Sequence, residues 1–91
     1  MRQIIKTHPF EVQLRDLIKD GIKAADEFIE GLEFALARRA EIGTLVTTDN
    51  PPVWFVPTVH VDRVTPLVVY YTFDAEHVYL LSIQVAVETI N

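Results

Sequence analysis

The chain has 91 residues, no cysteine and a formal net charge of −5, with 49% hydrophobic and 23% charged residues. That is enough for one domain around one core, and it excludes disulfides and thiolate zinc sites while arguing against intrinsic disorder. The acidic field opposes nucleic acid and anionic membranes, and no stretch reaches the roughly 18 apolar residues of a membrane span, so a soluble, unprocessed cytoplasmic protein is expected.

Arg2 to Lys6, with Ile4 and Ile5 inside, reads as a short first strand. Thr7 or His8 before Pro9 is a helix start, and the helix runs to about Asp20 with Phe10, Leu14, Leu17 and Ile18 on one face and Gly21 as its stop. A second helix is predicted over Ile22 to Glu41. Its apolar stripe is Ile22, Ala25, Phe28, Ile29, Leu32, Ala35 and Leu36, and Lys23, Asp26, Glu30, Glu33, Ala37 and Glu41 lie opposite. Arg38 and Arg39 suit the negative end of the helix dipole, and Gly43 ends the element. Phe34 falls on the polar side and is a candidate contact for another chain.

From Thr44 the period becomes that of strands. Thr44 to Thr48 is one strand, and Asp49-Asn50-Pro51-Pro52 is a turn. Val53 to Val61 is the next strand, and Pro57 places it at an edge or beside a bulge. After a loop over Asp62 to Pro66 comes the largest apolar block, Leu67 to Phe73 and Val78 to Val87, a hairpin joined by Asp74-Ala75-Glu76-His77. The element order β-α-α-β-β-β-β predicts an α+β fold with a helical hairpin packed on a twisted antiparallel sheet.

The hairpin register decides which residues face outward, because a slip of one residue exchanges the faces. Pairing Tyr71 with Leu81, Val69 with Ile83 and Leu67 with Val85 gathers the most apolar face. A two-residue turn at Ala75-Glu76 sets Tyr71 opposite Leu80 and Val69 opposite Ser82 instead. In the first register Val68, Tyr70, Thr72, Val78, Leu80, Ser82, Gln84 and Ala86 line the face away from the helices.

His8, His60 and His77 lack paired metal-ligand spacing, although His60 and Asp62 can share a strand face. Asp26, Glu27, Glu30 and Glu33 read as a solvated helix face. No nucleophile elbow, phosphate loop or Cys/His pair occurs, and no cofactor or metal is expected. The strand aromatics Trp54, Phe55, Tyr70, Tyr71, Phe73 and Tyr79 lack interleaved cations, which favours core packing over base stacking.

The segment Ala25-Asp26-Glu27-Phe28-Ile29-Glu30-Gly31-Leu32-Glu33-Phe34-Ala35-Leu36, the Gly43 stop, and Leu67 to Asp74 leading into Val78 to Ile83 resemble the RelE/ParE superfamily. These are toxin components of bacterial type II toxin-antitoxin systems, a class that includes plasmid-stabilisation modules. The resemblance implies a helical hairpin on a twisted sheet and an antitoxin partner that wraps the domain. In the ribonuclease branch basic residues stand on the exposed sheet side, and the matching positions here hold Val68 and Val85-Ala86-Val87. The expected function is therefore protein binding, to an antitoxin and in the ParE manner to a gyrase-like target, through Val68, Tyr70, Leu80, Ala86 and Phe34. The alternatives are an atypical messenger-RNA endoribonuclease using His60, Arg63 or Tyr70, and a non-toxic domain that buries its sheet face in a homodimer.

Overall fold

The computed structural model describes residues 1–22, 24–57 and 66–86. Its elements are β1 (Gln3–Lys6), α1 (His8–Lys19), α2 (Ala24–Arg38), a 3-10 turn (Ala40–Ile42), β2 (Thr44–Thr47), β3 (Val53–Pro57), β4 (Leu67–Phe73) and β5 (His77–Val85). The sheet order is β1-β5-β4-β3-β2. Strands β2 to β5 are antiparallel neighbours, and β1 joins the edge parallel to β5, Gln3 opposite His77 and Lys6 opposite Leu80. The helical hairpin thus carries the chain from one edge of the sheet to the other while covering one face. This is the α+β, helix-on-sheet architecture, with a mixed sheet because of β1. Among the described residues no helix is long and apolar enough to cross a membrane.

Pro9 in the first turn of α1 presents no N–H where none is needed. At the other end Gly21 has φ +99°, Gly21 N–H bonds Ile18 O at 3.1 Å and Ile22 N–H bonds Leu17 O at 3.0 Å. That pair of bonds is a Schellman closure, which needs a residue tolerant of left-handed backbone, and Leu17 and Ile22 both pack at the core margin. The second helix stops at Arg38, short of the expected Glu41, because Arg39 leaves helical geometry at φ −143°, ψ 88° and the chain tightens into the 3-10 turn. Ala37, placed on the polar side by periodicity, is buried instead, since the N–H of Arg2 docks on its carbonyl at 2.8 Å.

The core joins Phe10 of α1, Ala25, Ile29, Leu32 and Leu36 of α2, and Leu67, Val69, Tyr71, Val78, Leu80 and Ile83 of the hairpin. Tyr71 anchors the turn after α2: its hydroxyl donates to Ala40 O at 2.6 Å and accepts from Gly43 N–H at 3.0 Å. Burial pushes this phenol's pKa up, with the Gly43 N–H opposing and the Glu41 charge adding to the rise.

The hairpin uses both registers. Near the turn Phe73 faces Val78 and Tyr71 faces Leu80, whereas further out Tyr70 faces Ser82, Val69 faces Ile83 and Leu67 faces Val85. The register shifts between Tyr70 and Tyr71, leaving Leu81 as the extra residue of a β-bulge. Below the bulge the even-numbered Val78 and Leu80 enter the core, and above it the odd-numbered Ile83 does. The expectation that Val78 and Leu80 face away from the helices is therefore corrected: both are 0% exposed.

Gln13 explains how the bulge is tolerated. Pairing of β1 with β5 ends at Leu80, and Thr7 closes it with N–H and hydroxyl bonds to Leu80 O at 3.1 and 2.8 Å. Beyond that point the Oε1 of Gln13, on α1, accepts from Ile83 N–H and from Ser82 Oγ, both at 2.9 Å. A helix side chain thus supplies the acceptor that a longer β1 would have offered. Gln13→Ala leaves the Ile83 amide unpaired and is expected to cost about 1–2 kcal/mol in urea unfolding, with Gln13→Glu recovering most of it.

Pro57 is also placed differently from expectation. β3 lies inside the sheet, between β2 and β4, and not at an edge. The last β2 pair is Thr44 with Phe55, so Pro57, opposite Val68, lies beyond the reach of β2, and its missing N–H leaves no gap in that ladder. The part of the predicted strand from 58 to 61 lies outside the described residues.

Candidate functional site

The face of the sheet away from the helices carries an open groove of about 480 Å³ lined by Val46, Phe55, Val68, Tyr70, Gln84, Val85 and Ala86. Three strands build it by register. Phe55 lies opposite Tyr70, with ring centroids 6.4 Å apart, and Tyr70 lies opposite Ser82. Val68 sits between Pro57 and Gln84 in neighbouring strands. No charged residue lines the groove among the described residues. Its polar groups are the Tyr70 hydroxyl and the Gln84 amide, whose Nε2 donates to Ser82 Oγ at 3.1 Å.

A second polar constellation lies at the hairpin turn. Asp74 Oδ1 accepts from Glu76 N–H at 2.8 Å and His77 N–H at 2.7 Å, and Oδ2 accepts from the Tyr79 hydroxyl at 3.3 Å. The two backbone N–H groups hold this carboxyl below its ordinary pKa, and the neighbouring His77 contributes in the same direction. Desolvation, then the Asp74 charge, pushes the Tyr79 phenol up. Arg2 binds the turn from outside, its Nε donating to Asp74 O at 2.7 Å, its guanidinium 5.2 Å from the Phe73 centroid and its Nη2 3.6 Å from Glu41 Oε1. Each contact is accounted for by closing the turn and fastening the N-terminal segment to it.

The candidate residues divide accordingly. Val68, Tyr70 and Ala86 come together in the groove, and Leu80 does not, because the bulge sends it into the core. Phe34 stands on α2, in the helix layer that covers the opposite sheet face, 62% exposed with the Arg38 guanidinium stacked 3.4 Å from its ring centroid. His60 and Arg63 lie outside the described residues. His8 begins α1 and His77 begins β5, and no group of three or more His, Asp or Glu side chains able to hold a metal ion occurs among the described residues. Val46, not singled out from sequence, and Phe55, read there only as a strand aromatic suited to core packing, also enter the groove. The only signal for them was their place in apolar strands whose partners were not yet assigned.

Compared with known proteins, the chain matches no family model, no curated protein and no solved structure. What the groove can do therefore rests on its own chemistry. Apolar side chains with one phenol and one amide can bury a partner's apolar residues and orient them by a few hydrogen bonds. Among the described residues they offer no cation for phosphate.

Proposed function

We propose that the chain is a protein-binding member of the RelE/ParE toxin class, and that its antitoxin partner docks across the outer sheet face. The reading is carried by one observation: among the described residues the groove formed by Val46, Phe55, Val68, Tyr70, Gln84, Val85 and Ala86 carries no charge, where a nuclease of that class would be basic. The element order, a first strand, a helical hairpin and then an antiparallel run of strands, is in keeping with the resemblance noted in residues 25–36 and 67–83.

Co-expression with the neighbouring reading frame tests it. The expected result is a copurifying partner, a growth defect on induction of this chain alone and relief of that defect by the partner. Val68→Lys keeps the fold, because Val68 is only half-buried, and weakens capture at least roughly tenfold, since an unpaired charge at a buried interface costs several kcal/mol. The absence of both a partner and a growth effect overturns the proposal. Transcript cleavage on induction, abolished by Tyr70→Ala, would replace it with the endoribonuclease reading.

A further inference from the structure

The buried stripe of α2 has a counterpart on the solvent side of the same helix. At 100° per residue Glu27, Gly31, Phe34 and Arg38 fall within about 60° of one another, directly away from the buried Ala25, Ile29, Leu32 and Leu36, and all four are exposed. The Arg38 guanidinium lies 3.4 Å from the Phe34 ring centroid and Arg38 Nη1 donates to Phe34 O at 3.2 Å, so ring and cation stand together as one projection. One turn earlier Gly31 leaves a notch. A Cβ there would meet nothing within 4 Å, so nothing inside the domain requires a glycine, a residue that destabilises a helix interior relative to alanine. Among the described residues neither Glu27 nor Arg38 has an ion-pair partner.

We propose that this face of α2 packs against the same face of a second copy of the chain, the two helices antiparallel about a two-fold axis level with the midpoint between Leu32 and Glu33. The order of the stripe selects a second copy as occupant. Gly31 and Phe34 are centred on the same point of the helix as Glu27 and Arg38, so one register sets Phe34 against Gly31 of the partner subunit and Arg38 against Glu27 of the partner subunit. The two-fold axis repeats both contacts in reverse. Steps of four, three and four residues are those of an antiparallel helical seam, in which a large side chain enters the space that a small one leaves. Charge points the same way: the acid stands toward the start of α2 and the base toward its end, so a parallel copy opposes acid to acid and an antiparallel copy pairs each with its opposite. Glu30, at the margin of the stripe, comes level with Ala35 of the partner subunit and not with another acid, and Glu33 is turned toward Lys6. A single pair of helices of about four turns buries less than the roughly 1,200 Å² of a standard interface, so the dimer is reversible and concentration-dependent. The groove lies on the other face of the sheet and stays open in both copies.

Charge reversal followed by sedimentation equilibrium tests the register. The wild type is expected to gain mass with concentration toward a dimer. Glu27→Arg sets arginine against Arg38 of the partner subunit, and Arg38→Glu sets glutamate against Glu27 of the partner subunit, so each variant alone is expected to weaken dimerisation at least roughly tenfold. Mixed together, the two variants regain complementary pairs and are expected to form a heterodimer of about wild-type affinity. Gly31→Leu fills the notch and Phe34→Ala removes what enters it, and both are expected to stay monomeric. All four positions are exposed in the single chain, so unchanged circular-dichroism spectra show that the fold is kept. A wild type that is monomeric throughout overturns the proposal, as do single charge variants that dimerise like the wild type or a mixture of the two that fails to associate. None of these outcomes depends on the toxin-class reading, which is judged by capture of the neighbouring gene product.

Discussion

Leu80→Lys is expected to abolish folding. Leu80 is fully buried opposite Tyr71, in the cluster that contains Phe10, Ile29 and Leu36. Loss of a buried leucine costs about 2–5 kcal/mol, and an unpaired ammonium in the same space adds several more. The sum is comparable to the roughly 5–14 kcal/mol that a domain of this size has in total. Far-UV circular dichroism and amide dispersion check it: Leu80→Lys gives an unfolded or aggregated chain, Leu80→Ala a folded domain destabilised by about 2–5 kcal/mol. Val68→Lys, one strand away on the other face, remains folded. A native-like Leu80→Lys protein would return Leu80 to the outer face and contradict the bulge at Leu81.

Gly43→Ala is the second large effect. The backbone there is ordinary, φ −82°, so the objection is space and not conformation. A Cβ at this position falls 2.5 Å from Tyr71 Oη and 2.6 Å from the carbonyl oxygen of Phe55. The phenol can yield only by giving up its bonds to Ala40 O and Gly43 N–H, and the Phe55 carbonyl belongs to a strand held on both sides. Overpacking plus two lost hydrogen bonds predicts about 2–4 kcal/mol of destabilisation, or a melting point lower by roughly 10–25 °C. Tyr71→Phe alone costs about 1–3 kcal/mol by leaving Ala40 O unpaired, and the double variant costs less than the sum because both changes remove the same bonds. Gly31→Ala serves as the contrast, with nothing within 4 Å of its Cβ at an exposed position of α2, and is expected to stabilise by about 0.5–1 kcal/mol. Thermal melts of the four proteins decide the matter.

The helical hairpin was legible because its signals are local. The stripe of Ala25, Ile29, Leu32 and Leu36 repeats at helical spacing, and Gly21 supplies the left-handed residue that a Schellman closure requires. The strand hairpin was legible only in halves. Each of the two registers weighed from the sequence is correct on one side of Leu81, and no local pattern announces a bulge whose neighbouring Ile83 amide is satisfied by a glutamine on a distant helix. This is why Val68, Tyr70 and Ala86 could be assigned to the outer face and Leu80 was misassigned. Phe55 and Val46 join the groove through pairings between strands that alternation within a single strand does not encode.

The Gln13 contact has a consequence for how the domain opens and closes. Because Oε1 of a helix residue completes the hydrogen bonding of β5, the outer half of that strand has no finished edge until α1 is seated. Helix and hairpin are thereby joined into one cooperative unit, and the Ile83 amide proton becomes a reporter, exposed to exchange whenever α1 lifts from the sheet. Ile83 lies on β5 only two positions from Val85, one of the groove residues. Exchange at that amide therefore reads the seating of α1 from a strand that also contributes to the groove.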